Sequence, residues 1–93
     1  MDYDEVSNEL LRLAKTSGMP AQKVETQGLR TTAVYVIPER WFVAFEPAGA
    51  LFLGLYEGQD LRMVGTHQHH YEKLTIAIIE REFKSALEEL SAR

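Results

Sequence analysis

The chain has 93 residues, a net charge of −4 and a composition that is 45% hydrophobic and 26% charged. This length is typical of one domain, here residues 1–93, and the composition is that of a globular protein. Because cysteine is absent, disulfides, thiolate metal clusters and cysteine nucleophiles are excluded. The acidic balance, with no basic stripe, argues against a nucleic-acid partner.

The first expected element is a helix over residues 3–16. Its apolar side chains recur every three or four positions and therefore share one side: Tyr3, Val6, Leu10, Leu13 and Ala14. Asp2 can cap this helix, and Gly18 followed by Pro20 can end it. The segment MDYDE is acidic where a secretory signal is basic, and no apolar run approaches the ~20 residues of a membrane span. We therefore expect a cytoplasmic protein without a membrane partner.

Between residues 22 and 66 the apolar period changes to two, which predicts β-strands. Five strands are expected, at 22–27, 30–37, 40–46, 50–56 and 61–66. A proline or glycine marks each separation, at Gln27-Gly28, Pro38-Glu39, Pro47-Ala48-Gly49 and Glu57-Gly58-Gln59-Asp60. Because such short loops make neighbouring strands pair in sequence order, we predict an antiparallel meander.

A long helix is predicted over residues 68–91, where the 3.6-residue period runs into EREFKSALEEL. Residues 74–79, LTIAII, are rich in β-branched side chains and could begin as a strand instead. Together the segments predict an α+β fold in two layers, with an N-terminal helix, a five-stranded antiparallel meander and a long C-terminal helix.

Both faces of the predicted sheet are apolar. The third strand, for example, carries Trp41, Val43 and Phe45 on one side and Phe42 and Ala44 on the other. Two helices, each about 10 Å across, cover about one face of a sheet that is roughly 24 Å wide. Either the helices split between the faces, or both lie on one face and another chain covers the second. Strong strand curvature that buries everything within one chain is the third possibility.

An apolar face that its own helices leave bare is typical of an interaction surface. We therefore expect a small non-enzymatic protein-interaction module, of adaptor, chaperone, immunity or inhibitor type, that binds a partner protein and forms a homodimer. A face reserved for a different protein is the alternative. The candidate partner-binding residues are Arg40, Trp41, Phe42, Tyr35 and Tyr56. Trp and Arg are enriched in binding hot spots, although a strand tryptophan is also an ordinary core residue.

Three histidines stand close together in GTHQHHY, residues 65–71. His67, His69 and His70 form a weak alternative metal site, because imidazole is a common ligand but Glu72 falls on neither helical spacing from His67 or His70. The second interpretation is that Thr66 caps the C-terminal helix and the histidines fill its first turn. A histidine-dependent metal or small-ligand binding protein is thus the alternative function.

The sequence contains no phosphate-binding glycine loop, no GxSxG and no dinucleotide fingerprint. A histidine beside Glu57, Asp60 or Glu72 could in principle perform acid-base work. Without a nucleophile arrangement, we expect neither enzymatic activity nor a cofactor.

Overall fold

The computed structural model describes residues 1–26, 29–47, 49–60 and 62–91. Its elements are α1 (Tyr3–Ser17), β1 (Ala21–Thr26), β2 (Leu29–Ile37), β3 (Arg40–Glu46), β4 (Leu51–Glu57), β5 (Arg62–His69) and α2 (Ile76–Ser91). A short 3₁₀ turn at Tyr71–Lys73 precedes α2. This order confirms the predicted α+β fold. The predicted strand residues Gln27 and Leu61 and the predicted turn residues Gly28 and Ala48 lie outside the described residues.

Helix α1 begins and ends at the predicted signals. The Asp2 carboxylate accepts a hydrogen bond from the Glu5 backbone N–H at 2.9 Å, and the Glu5 carboxylate accepts one from the Asp2 N–H at 3.3 Å. This capping box satisfies N–H groups that a helix leaves without an internal partner. Gly18 ends the helix with a φ of 70°, a left-handed conformation that costs glycine little.

The five strands form one antiparallel sheet in the order β1-β2-β3-β4-β5, which confirms the meander. Its register is interrupted in β2 between Tyr35 and Ile37, and in β5, where Val64 bulges between the pairs Leu55 with Gly65 and Tyr56 with Met63. Because directly opposed residues of an antiparallel pair share a side, this register assigns the side chains of all five strands to one face or the other.

Both helices pack on the same face of the sheet, and the main core lies between the layers. The helices contribute buried Tyr3, Val6, Leu10, Ala14, Ile79, Phe83 and Ala86; the strands contribute Val34, Phe42, Ala44, Leu51, Leu53 and Leu55. We call this side of the sheet the helix-covered face and the other side the helix-free face. Of the arrangements that the sequence left open, the helices therefore adopt the one that leaves a whole face without helices.

The C-terminal part of the sheet differs from the prediction. The helix predicted over residues 68–91 begins at Ile76, because β5 continues to His69. The backbone of β4 provides the reason, since Leu53 pairs with His67 and Leu51 pairs with His69. Thr75, not Thr66, caps α2: its hydroxyl accepts from the Ile78 N–H at 3.2 Å. The β-branched segment 74–79 therefore contains the start of the helix.

Within the described ranges, neither helix has the length and apolar character that a bilayer crossing requires.

Candidate functional site

The helix-free face consists of rows of side chains that run across the strands. Tyr35, Trp41, Tyr56 and Met63 are opposed in turn on β2 to β5, and we call them the aromatic row. The next row holds the small residues Ala33, Val43 and Gly54, and we call it the small row. A third row contains Thr31, Phe45, Phe52 and Gln68. The face thus has bulky side chains on both sides of a low centre.

The bulky side chains lean over the small row and form a second, minor core. Ala33, Val43 and Tyr56 are buried there, and the half-buried Trp41 and Phe45 pack against them. Tyr35 meets Trp41 edge to face, with 5.7 Å between the ring centroids. The chain therefore covers the floor of its helix-free face with its own aromatic rings, while the outer surfaces of those rings remain in solvent.

Gly54 lets β4 and β5 approach closely in this second core. Its φ is 151°, and a Cβ added there would collide with the backbone of Gly65 and Thr66. The Tyr56 ring packs beside this close approach, and its hydroxyl is buried without a hydrogen-bond partner of suitable geometry among the described residues. Burial raises the pKa of the Tyr56 phenol, and the neighbouring Thr66 side chain partly offsets that effect.

Charge is distributed unequally between the two faces. The five strands carry seven Lys, Arg, Asp or Glu residues, and all occupy helix-covered positions: Lys23, Glu25, Arg30, Arg40, Glu46, Glu57 and Arg62. Several are paired, as in Arg30 with Glu46 at 2.7 Å and Arg40 with Glu57 at 2.9 Å. The strand positions of the helix-free face that the structure describes carry no charged side chain.

The predicted partner-binding residues divide between the two faces. Tyr35 and Trp41 lie on the helix-free face in contact with solvent, and Tyr56 lies on the same face but is buried. Phe42 points the other way and packs edge to face on Phe83 in the main core, 5.2 Å between centroids. Arg40 occupies a helix-covered position and pairs with Glu57. Phe42 is therefore inaccessible to a partner, and Arg40 lies outside the aromatic surface.

A recess opens at one end of the aromatic row, over β1 and β2. Its volume is about 310 Å³, and its lining is uncharged: Pro20, Ala21, Gln22, Ala33, Tyr35 and Trp41. Small side chains provide the floor and the two aromatic rings provide a wall. At the opposite end of the row, on β5, Met63 is 61% exposed. Sequence patterns identified neither feature, because both depend on strand register.

Two of the histidines, His67 and His69, lie on β5 and face helix α2. His67 Nδ1 is 2.8 Å from one carboxylate oxygen of Glu82, and His69 Nε2 is 3.1 Å from the other. The prediction that they fill the first turn of the C-terminal helix is therefore wrong. His70 follows the strand and borders a different, open recess with Tyr71 and Glu72.

Glu82 is the carboxylate that contacts His67 and His69. The sequence pattern does not connect it with them, because the nearest carboxylate along the chain is Glu72. The two oxygens of Glu82 each bind a different imidazole, so the three side chains do not converge on one point. Within the described ranges, no group of three or more His, Asp or Glu side chains could hold a metal ion. As it stands, the cluster is a hydrogen-bonded connection between the edge strand β5 and helix α2.

A second polar cluster connects α1, the sheet and the turn before α2. Thr32 makes hydroxyl hydrogen bonds with Tyr3 at 2.7 Å and Ser7 at 2.6 Å. Beside it, Arg30 and the Tyr71 hydroxyl both donate to Glu46. Burial opposes ionisation of Glu46, but these two donors hold its pKa below the ordinary value. The Tyr71 pKa is raised by burial and by the adjacent carboxylate.

This chain matches no model of a known protein family, no curated protein and no solved structure.

Proposed function

We propose that this chain is a non-enzymatic protein-interaction module that functions as a homodimer, with the helix-free face as the seam between two copies. One observation carries the proposal: this face bears partly exposed aromatic rings and, at the strand positions that the structure describes, no charged side chain, whereas the charged residues of those strands lie on the other side. Exposed apolar surface of this extent is characteristic of interaction sites on otherwise soluble domains.

Electrostatics is compatible with a second copy as the occupant of this face. Each chain carries a net charge of −4, so two copies repel unless their charged groups stay apart and in solvent. Contact through the helix-free face leaves the strand charges on the outer sides of the pair and requires no charge to be buried. A strongly charged partner, by contrast, would find no complementary group among the strand residues that the structure describes on this face.

The size of the face is close to the lower limit for a specific interface. Five strands at ~4.8 Å spacing and about seven residues of ~3.4 Å each give a footprint of roughly 500 Å², before side-chain relief is added. Small specific interfaces bury about 600 Å² on each partner. A two-fold pair uses one patch twice, so a single apolar face supplies both halves of the contact.

Sedimentation equilibrium over a wide concentration range tests this proposal. We expect a mass near twice that of the monomer, falling to one chain on dilution. Tyr35→Lys places a charge in the seam and should give a monomer at all concentrations. Ile76→Lys is the matched control, because Ile76 is a similarly exposed apolar residue, at 50% against 38% for Tyr35, and it lies at the start of α2.

The control variant should dimerise like the unmodified chain. A strict monomer at every concentration would contradict the proposal. Equal weakening by both lysine variants would also contradict it, because the seam would then not be the helix-free face.

A further inference from the structure

The helix-free face carries an exposed methionine and a recess, on opposite sides of its central strand. Met63 lies on β5, and the recess lies over β1 and β2. The following inference rests on the proposed dimer and concerns how the two copies meet.

Met63 is positioned to project from the face. It opposes the buried Tyr56 across the strand pair, just before the bulge at Val64. The Thr66 hydroxyl, on the same face, donates to its sulfur at 3.4 Å. Methionine has a flexible, unbranched side chain that adapts to irregular apolar spaces. Its high exposure in the single chain therefore provides an apolar anchor that is ready for a partner.

The recess can accept such a side chain. Its volume of about 310 Å³ exceeds that of one methionine side chain, and its lining includes no charged residue. Ala33 and Gln22 oppose each other across β1 and β2, and Tyr35 lies two residues after Ala33 on β2. The Tyr35 ring can then supply the sulfur–aromatic contact that methionine favours.

The register fixes a symmetry that brings the two features together. Met63, Tyr56, Trp41 and Tyr35 lie in one row, so the anchor and the recess wall are at the same level along the strands. The anchor is two strands from β3 on one side, and the recess is between one and two strands away on the other. A two-fold axis parallel to the strands and close to β3 therefore superimposes the anchor of each copy on the recess of the other.

We propose that the dimer is a two-fold pair of sheets with nearly parallel strands, in which Met63 of each copy enters the Tyr35–Trp41 recess of the other. The two contacts form simultaneously and flank the axis. This arrangement belongs to the aligned class of sheet packing. An axis perpendicular to the strands instead places the aromatic row against the phenylalanines of the third row and brings Met63 opposite Gln68, leaving both recesses empty.

Cross-linking of single-cysteine variants distinguishes these arrangements, because the chain has no cysteine of its own. Facing sheets pack about 10 Å apart, so a short bismaleimide reagent can join residues that lie opposite each other. A mixture of Met63→Cys and Gln22→Cys chains should cross-link in high yield. Each variant alone should not, since the two copies of either residue are then roughly 19 Å apart across the sheet.

A mixture of Met63→Cys and Gln68→Cys provides the opposing arm of the experiment. We expect little product from it, and preferential cross-linking of this pair would overturn the proposed symmetry. If both mixtures sediment as dimers at the concentration of the reaction and neither cross-links, the proposed symmetry is also overturned, while the proposed dimeric function stays intact. A monomer in sedimentation of the unmodified chain would refute the proposed dimeric function.

Affinity provides a second measurement. Met63→Ala and Gln22→Trp, which fills the recess from an exposed edge-strand position, should each weaken the dimer at least about tenfold, as expected for interface anchors. The double variant should dimerise only slightly more weakly than either single variant, because both changes remove the same contact. Met63→Leu should retain most of the affinity. Additive losses, or no loss with Met63→Ala, would contradict the anchoring contact.

Discussion

The two faces of this sheet bury their apolar side chains in different ways. On the helix-covered face, α1 and α2 bury one continuous core, and charged strand residues occupy its margins in ion pairs. On the helix-free face, aromatic rings cover a floor of small residues, and no charged strand residue is present among those described. The apolar side chains of the first face are buried within one chain. Those of the second face are only partly buried, as is expected of a surface that a partner protein covers.

The largest expected difference concerns two phenylalanines of β3. Phe42→Ala should lower the free energy of unfolding by about 3–5 kcal/mol, because it removes a fully buried ring from the main core. Phe45→Ala, on the helix-free face, should cost only about 1–2 kcal/mol in dilute samples, because that ring is only partly buried. Urea unfolding at low protein concentration measures both. Equal losses would mean that one chain buries the apolar side chains of both faces equally well.

Gly54 and Gly65 provide the next comparison, within neighbouring strands. Gly54→Ala should destabilise by roughly 3 kcal/mol, because it combines a strained positive φ with a collision against the β5 backbone. Gly65→Ala meets open space and should change stability by less than about 0.5 kcal/mol. Thermal unfolding followed by circular dichroism measures both variants. A harmless Gly54→Ala would show that the close approach of β4 and β5 is not required.

Two tyrosine hydroxyls contrast the faces at the level of single atoms. Tyr71→Phe should cost about 1–2 kcal/mol near pH 6, because Glu46 loses a donor. Tyr56→Phe should be neutral or slightly stabilising, because it removes a buried hydroxyl that has no partner of suitable geometry among the described residues. Chemical denaturation measures both changes.

Acid should modify the Tyr71 effect in a defined direction. A carboxyl whose pKa is lowered on folding stabilises the protein fully above its ordinary value of 4.5, and this stabilisation is lost as the pH falls through the lowered value. Tyr71→Phe moves the Glu46 pKa back towards 4.5. The difference in the free energy of unfolding between the unmodified chain and the variant should therefore decrease from pH 6 towards pH 3. A difference that does not change with pH would show that the Tyr71 hydrogen bond does not lower the Glu46 pKa.

The histidine cluster should give the smallest effects. His69 is 19% exposed, and His69→Ala should cost about 1 kcal/mol through its lost contact with Glu82. His67 is 73% exposed, and His67→Ala should cost less than about 0.5 kcal/mol. Thermal unfolding measures these losses, and excess zinc should not change the melting temperature. A zinc-induced rise that both variants abolish would instead indicate a metal site.

Much of this architecture follows from local patterns in the sequence. The Asp2 cap, the Gly18 stop and the period-two strands predict the order of elements, because each depends on nearby residues. Adjacent residues of a strand must lie on opposite faces, so Trp41 and Phe42 had to separate. The alternation does not reveal which of the two would meet the helices, since both are large aromatic residues.

The remaining features depend on pairings between distant segments. Residues 67–70, HQHH, have neither a helical nor a strand period, and only their pairing with Leu51 and Leu53 makes β5 extend to His69. Glu82 becomes their partner because α2 packs on the face of the sheet towards which His67 and His69 point, and spacing along the chain does not encode that packing. The recess and the Met63 anchor likewise arise from register. The recess and the anchor belong to the candidate site, so the sequence predicted some of its aromatic residues but not its shape.

The fluorescence of Trp41 tests the central claim most directly, because it is the only tryptophan in the chain and lies half-buried on the helix-free face. On dilution, its emission should shift to longer wavelength and acrylamide quenching should increase, with the same midpoint as dimer dissociation in sedimentation. Emission and quenching that stay constant over the concentration range in which the mass halves would show that the two copies meet elsewhere.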